Sequence, residues 1–149
     1  NFFESKHTIL SIDFDELADR KYKTVLTYGT FDLLHYGHVE ILRRASLLGD
    51  KLIVGLSSDE FNKVKGKKCV LSYEKRKELL LSLDYVHKVI PEDSWEQKTN
   101  DIKNEDVDIF VMGSDWRGKF DELNNLCKVV YFERTKGIST TKLKSILKD

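Results

Sequence analysis

The sequence contains no apolar run long enough to cross a bilayer, and its first residues lack the basic, apolar and small-residue order of a secretion signal. It has two cysteines, Cys69 and Cys127, which do not form a Cys-x-x-Cys pair. A four-ligand zinc site is therefore not predicted, and two free thiols are typical of a reducing compartment. We expect a cytoplasmic protein with no membrane partner.

Net charge is also absent, because 25 lysines and arginines balance 25 aspartates and glutamates among the 149 residues. A neutral chain offers no general surface for nucleic acid, so any phosphate must bind to local basic clusters. The length is that of one ordinary domain, and a hydrophobic content of 40% is enough for a core. We expect one domain, residues 23–149, after an extension, residues 1–22, that is too apolar for a disordered tail.

The most informative stretch is residues 24–38, where an apolar segment that favours a strand leads through Gly29 to His35 and His38. From His38 to Leu48 apolar residues recur at helical spacing, and Gly49 is predicted to end this helix. The N–H groups at the start of a helix favour an anion, and two imidazoles at this spacing can face one site. A nucleoside triphosphate would suit this arrangement, although such a histidine pair alone is more typical of a surface or a metal site.

Alternating strands and helices are predicted along the rest of the chain. Short apolar runs of the kind buried in parallel sheets occupy residues 51–57, 88–91, 108–113 and 128–132. Helices are predicted for residues 13–20, after Ser72, after a capping box that begins at Ser94, for residues 118–126 and after Ser139. This order predicts an α/β fold with a doubly wound parallel sheet.

Basic residues stand out in two places outside the histidine motif. Lysines are dense between residues 63 and 68, where a solvated charged loop is the default interpretation. Arg76 lies in the first turns of the helix after Ser72, where it opposes the helix dipole. We therefore predict an anionic partner for it, either a substrate phosphate or an acidic side chain.

Three motifs resemble those of a known family. The first runs from Gly29 to His35-Tyr36-Gly37-His38, the second is Val111-Met112-Gly113 with Asp115-Trp116, and the third runs from Arg134 to Thr141. In this order they resemble the cytidylyltransferase family of His-x-Gly-His nucleotidyltransferases, and within it the glycerol-3-phosphate cytidylyltransferases. The resemblance covers roughly residues 23–147.

This resemblance implies a Rossmann-like fold and an enzyme that transfers CMP from CTP to glycerol 3-phosphate, giving CDP-glycerol and pyrophosphate. CTP and a small phosphorylated acceptor would be its substrates, and magnesium would bridge the triphosphate. The resemblance also implies a homodimer and a role in making precursors of teichoic acid or capsular polysaccharide.

The resemblance further implies a role for each residue that matches a family motif. The catalytic residues would be His35, His38, Lys65 and Arg134. The nucleotide would be bound by Tyr28, Gly29, Thr30, Phe31, His35, Gly37, His38, Met112, Gly113, Asp115, Arg134, Thr135, Gly137, Ile138, Ser139, Thr140 and Thr141. The acceptor would be bound by Asp32, Lys65, Lys67, Arg76 and Lys98. Most magnesium ligands would be phosphate and water oxygens, with Asp32 and Asp115 as helpers, so no residue is assigned as a metal ligand.

One segment departs from the family pattern. Where the family usually has Arg-Tyr-Val-Asp, this chain has Asp84-Tyr85-Val86-His87. An aspartate cannot replace an arginine that supports phosphate, so Arg76, His87 or Arg117 would have to substitute for it. The alternatives are a different phosphorylated acceptor, such as another polyol phosphate, phosphocholine, phosphoethanolamine or a phosphorylated amino compound, or a nucleotide-binding domain without catalysis.

Overall fold

A computed structural model of the protein describes residue 19 and residues 21–133. The helices predicted for residues 13–20 and after Ser139 lie outside the described residues. The same is true of seven residues with predicted roles in the site, namely Arg134, Thr135, Gly137, Ile138, Ser139, Thr140 and Thr141.

The described residues form a five-stranded parallel sheet with helices between the strands. The strands are β1 (Tyr22–Gly29), β2 (Gly49–Ser57), β3 (Lys88–Glu92), β4 (Ile109–Gly113) and β5 (Lys128–Phe132). The α-helices are α1 (Tyr36–Ser46), α2 (Asp59–Val64), α3 (Tyr73–Leu81) and α4 (Lys98–Asn104). The strand order is β3-β2-β1-β4-β5, so the direction of winding reverses between β1 and β4. The predicted α/β class and parallel sheet are confirmed.

Neighbouring residues of each central strand point to opposite faces of the sheet, because side chains alternate along a strand. Val25 and Ile109 pack on one face in a cluster that contains Leu42 of α1 and Leu80 of α3. The next residue of each strand packs on the other face, in a cluster that contains Ile102 of α4. Helices therefore cover both faces, which is the doubly wound arrangement.

The predicted ends of two helices differ from those in the structure. Helix α1 ends at Ser46 with Leu47 as its C-cap, and Gly49 begins β2. A Cβ atom at Gly49 would lie 2.4 Å from the backbone oxygen of Tyr22, so the glycine serves close packing of β2 on β1. Helix α4 begins at Lys98, one turn later than the predicted capping box.

Two segments have a different local structure from the one predicted. The segment predicted as a charged loop begins inside α2, which Ser58 caps by accepting from the N–H of Phe61. The prediction of a helix over residues 118–126 is wrong. This segment contains only a short 3-10 helix, Asp121–Asn125. There the Tyr131 hydroxyl of β5 donates to the Asp121 carboxylate and accepts from the N–H of Phe120, which holds the segment against the sheet.

Within the described part of the chain, no helix is both long enough and apolar enough to cross a membrane.

Candidate active site

A cavity of about 410 Å³ lies at the carboxyl ends of β1, β3 and β4. Ligands of open α/β sheets bind at this edge, where the winding of the sheet reverses. Residues predicted from the sequence form much of its wall: Tyr28, Gly29, Thr30, Phe31, Asp32, His38, Lys65, Lys67, Lys98, Met112, Gly113 and Asp115. The remaining lining residues are Thr27, Ile41, Lys68, Glu92, Trp95, Trp116 and Phe120. Among the predicted residues that the structure describes, His35, Gly37 and Arg76 are not part of the wall.

The turn between β1 and α1 has an unusual backbone conformation. Phe31 and Leu33 have positive φ angles of 48° and 50°, in the left-handed region that non-glycine residues seldom adopt. Gly29 was predicted to permit this turn, but its role is close packing, because a Cβ there would lie 2.6 Å from the Phe31 ring. The Phe31 ring in turn meets the His38 ring edge-on, with the ring centroids 5.3 Å apart. The Phe31 ring of this turn thus helps to fix the orientation of the His38 ring.

The two histidines stack at the start of α1, with ring centroids 3.8 Å apart and an interplanar angle of 18°. Nδ1 of His35 caps the helix by accepting from the backbone N–H groups of Gly37, at 3.0 Å, and of His38, at 3.4 Å. An accepting Nδ1 in a neutral imidazole places the proton on Nε2. Nε2 of His35 is buried and has no hydrogen-bond partner within the described residues. This N–H is thus a donor to which the described residues supply no acceptor.

The surroundings of both imidazoles favour the neutral form. Burial is the main cause that lowers the pKa of His38 to about 4, the nearby His35 lowers it further, and the Asp32 carboxylate opposes the shift. Burial also lowers the pKa of His35. A neutral imidazole has one N–H donor, so the pair can donate two hydrogen bonds without carrying a net charge.

The double role of His35 can be separated by substitution. His35→Ala removes both the cap and the Nε2 donor, and we expect it to lower the free energy of unfolding by about 1 kcal/mol and turnover by about 100-fold. His35→Asn restores a side-chain cap, since asparagine is among the best N-cap residues, but not the donor. We expect the asparagine variant to have the wild-type Tm and to lose as much turnover as His35→Ala does. If activity recovered along with stability, the role of His35 would be that of a cap alone.

Lys65 projects from the end of α2 toward the cavity. Its ammonium donates to the Thr30 hydroxyl at 3.4 Å and lies 4.8 Å from the centroid of the Phe61 ring. Burial lowers its pKa to about 8, and the charges of Lys67 and Lys98 add to the shift while Glu92 opposes it. A partly desolvated ammonium beside other cations is stabilised by an anion. Lys65 is therefore suited to a phosphate group.

Arg76 lies beneath the site, and the structure does not place it against a substrate. The residue is fully buried, with 0% exposure. Its guanidinium donates to the backbone oxygens of Leu71, Thr30 and Ser57 at 3.1, 2.9 and 2.7 Å and to the Asp59 carboxylate at 2.8 Å. Of the two predicted kinds of partner, the structure supplies the acidic side chain. Four of the five N–H donors of the Arg76 guanidinium are used within the protein. The structure therefore corrects the predicted contact between Arg76 and the substrate.

Asp32 contributes to the cavity wall and also organises it. Its carboxylate accepts from the N–H of Val70 at 2.7 Å and of Leu71 at 3.0 Å, which joins the β1–α1 turn to the segment before α3. Because both carboxylate oxygens already accept a hydrogen bond, Asp32 has little remaining capacity to bind a substrate or a metal ion.

The residues that depart from the family pattern lie away from the cavity. Asp84 and His87 are exposed and are not among the lining residues. Of the suggested substitutes, Arg117 and His87 are exposed outside the wall, and Arg76 is committed to backbone oxygens. The change to Asp84 and His87 therefore leaves the wall of the described cavity intact.

Sequence reasoning missed Glu92, Trp116 and Phe120 as parts of the cavity. Glu92 comes directly after the strand predicted for residues 88–91, and the carboxyl end of a parallel strand faces the ligand edge. The position of Glu92 at the carboxyl end of a predicted strand could therefore have identified it from the sequence. Trp116 and Phe120 lie in the irregular segment after β4, whose path the sequence pattern does not define.

The residues of the cavity fit magnesium only as part of a metal–nucleotide complex. Within residues 21–133 no group of three or more histidine, cysteine or acidic side chains is arranged to hold a metal ion. Three carboxylates line the cavity, those of Asp32, Glu92 and Asp115. Since magnesium usually keeps phosphate and water ligands and takes only one or two carboxylates, this donor set is compatible with it.

Comparison with known proteins identifies the family. A glycerol-3-phosphate cytidylyltransferase of Staphylococcus aureus is 59% identical over 125 residues, which make up 84% of this chain and 95% of that protein. The protein of the same name from Bacillus spizizenii is 60% identical over 122 residues, or 82% of this chain and 95% of that protein. The crystal structure of the lipopolysaccharide core biosynthesis protein from Thermoplasma volcanium has the same fold, with a TM-score of 0.61 and 24% identity over 78% of this chain and 98% of that one. A sequence model of the cytidylyltransferase-like family matches residues 26–146, and the chain belongs to that family.

Proposed function

We propose that this protein transfers CMP from CTP to glycerol 3-phosphate and releases pyrophosphate. The observation that carries the proposal is the stacked pair of imidazoles at the mouth of α1, of which His38 lines the cavity and His35 has a buried Nε2 without a partner among the described residues. The relatives named glycerol-3-phosphate cytidylyltransferases, at about 60% identity, support CTP as the donor and glycerol 3-phosphate as the acceptor.

The reaction requires only one displacement at phosphorus. An oxygen of the acceptor phosphate attacks the α-phosphorus of CTP in line, the bond to the β-phosphate breaks, and pyrophosphate leaves with the bonding electrons. His35 and His38 donate their N–H groups to phosphate oxygens that gain charge in the transition state. Lys65 binds the phosphates of CTP through its ammonium. No covalent intermediate with the protein is formed.

The remaining parts of the proposal rest on the resemblance described above. Arg134 and Thr140 bind the β- and γ-phosphates, and the other predicted residues outside the described range complete the nucleotide site. Magnesium bound with CTP would supply positive charge that neutralises part of the triphosphate, and Asp115 would assist in holding it. The proposal includes a homodimer in the cytoplasm, catalysis within residues 23–149, and use of the product in teichoic acid or capsular polysaccharide.

The test is pyrophosphate release from CTP and magnesium with a panel of acceptors: glycerol 3-phosphate, ribitol 5-phosphate, phosphocholine and phosphoethanolamine. We expect selective turnover of glycerol 3-phosphate. Selective turnover of another acceptor would replace the substrate but keep the reaction. No release with any acceptor, despite CTP binding, would favour a nucleotide-binding domain without catalysis.

A further inference from the structure

One end of the cavity contains a buried ion pair. The ammonium of Lys98 lies 2.8 Å from Oε2 of Glu92, and the side chains are 6% and 4% exposed. Both residues line the cavity. Burying two charges costs desolvation free energy, and a well-packed apolar pair often stabilises a protein as well or better. An ion pair in this position is therefore a candidate for recognition of the acceptor.

The Lys98 ammonium occupies an aromatic cage. It lies 4.5 Å from the ring centroid of Tyr28, 5.4 Å from that of Phe120 and 5.6 Å from that of Trp95. The Tyr28 hydroxyl donates to the Asp101 carboxylate at 2.5 Å, which fixes the orientation of the first ring. Rings arranged in this way bind quaternary ammonium ligands by cation–π attraction. In this protein the cage already contains the protein's own cation.

A cationic head group of an acceptor could therefore not enter the aromatic cage, because the Lys98 ammonium occupies it. It would also meet repulsion, because the cavity wall carries four lysines, Lys65, Lys67, Lys68 and Lys98, against three carboxylates, Asp32, Glu92 and Asp115. An acceptor without a positive charge meets neither obstacle.

The carboxylate of Glu92, which lines the cavity, has a second oxygen that a ligand could use. Oε2 accepts from Lys98, whereas Oε1 makes no hydrogen bond with the described residues. The backbone is also fixed, since the Glu92 carbonyl accepts from the N–H of Ser58 at 3.0 Å. A carboxylate oxygen accepts hydrogen bonds and does not donate them, so its natural partner in a ligand is a hydroxyl group.

We propose that the Glu92–Lys98 pair selects the acceptor: Lys98 fills the aromatic cage and excludes cationic head groups, and Oε1 of Glu92 accepts a hydrogen bond from an acceptor hydroxyl. The inference rests on the proposed transfer to a phosphorylated acceptor and narrows that acceptor to a polyol phosphate. Glu92 is thereby a specificity-determining residue.

Glu92→Gln tests this role with little change of shape. Lysine can only donate, so the glutamine oxygen must face Lys98, and the amide NH2 then replaces Oε1 as the group that faces the cavity. We expect the KM for glycerol 3-phosphate to rise by about 10- to 100-fold, as is typical when a hydrogen bond to a charged group is lost. The KM for CTP should change by less than about twofold. The matched control is Glu105→Gln, because Glu105 pairs with Lys88 at 2.9 Å outside the cavity wall.

Two deoxy acceptors, 3-hydroxypropyl phosphate and 2-hydroxypropyl phosphate, test the same contact without relying on the stability of a variant. Wild-type protein should prefer glycerol 3-phosphate over at least one of them by about 10-fold or more, and Glu92→Gln should lose most of that preference. Equal use of all three acceptors by the wild type, or an unchanged acceptor KM in Glu92→Gln, would overturn the inference. So would efficient use of phosphocholine.

Calorimetric binding of glycerol 3-phosphate and its deoxy analogues separates this inference from the proposed function. If binding depends on the hydroxyl and on Glu92 but no pyrophosphate is released, the proposed transfer fails and the selection by Glu92 stands. If glycerol 3-phosphate is turned over but its binding is insensitive to both changes, the transfer stands and the inference fails.

Discussion

His38→Ala is expected to reduce kcat by about 100- to 1,000-fold, which is the usual effect of removing one donor that stabilises transition-state charge. His38 is held by its stack on His35 and by the edge of Phe31, so its imidazole does not need to reorganise when charge develops on the phosphate. The dissociation constant of CTP should change by less than about threefold, because the charge to which His38 donates develops only in the transition state. Single-turnover kinetics and equilibrium binding of CTP measure the two effects separately.

His87→Ala is the matched control, since His87 is exposed and does not line the cavity. It should retain wild-type turnover. A loss of less than about tenfold in His38→Ala would contradict the assigned role. The pH profile gives a second check. Because the pKa of His38 is lowered to about 4, its imidazole stays neutral as the pH falls through the ordinary histidine range. Activity that requires a protonated histidine with a pKa near 6.5 would contradict a neutral donor.

Patterns that are local in sequence predicted the sheet well. Consecutive apolar residues such as Val25 and Leu26 point to opposite faces of a strand that is buried on both sides, and each predicted strand is present in the structure. The rule that ligands bind at the carboxyl edge of a parallel sheet then located the cavity. These predictions succeed because burial of a strand depends mainly on its own residues.

Individual side-chain contacts were not predictable in the same way. The sequence placed His35 at the start of a helix, but it did not show that Nδ1 would cap α1 and leave Nε2 for a ligand. The helix predicted for residues 118–126 failed because side-chain bonds to Tyr131 of β5 outweigh its local helical pattern. Glu92 was missed because its partner Lys98 follows on another element.

Arg76→Met is expected to destabilise the protein by about 3 to 5 kcal/mol, the usual cost of removing one member of a buried charged network. The methionine fills part of the space but leaves the backbone oxygens of Thr30, Ser57 and Leu71 without their donors, and each buried unpaired group costs about 1 to 3 kcal/mol. For a protein of this length the loss corresponds to a fall of about 10 °C or more in Tm. Thermal unfolding measures it, with Arg117→Met, at an exposed arginine, as the control.

The same variant distinguishes a positioning residue from one that binds substrate. Because Arg76 joins Thr30 of the β1–α1 turn to Ser57 at the end of β2, its removal should loosen one wall of the cavity and raise the KM for CTP only together with the loss of stability. Arg76→Lys keeps the charge but cannot reproduce the four directed bonds, so it should recover little stability. If Arg76→Met instead kept the wild-type Tm and lost phosphate binding, and lysine restored that binding, then Arg76 would contact the substrate, as the family resemblance implies.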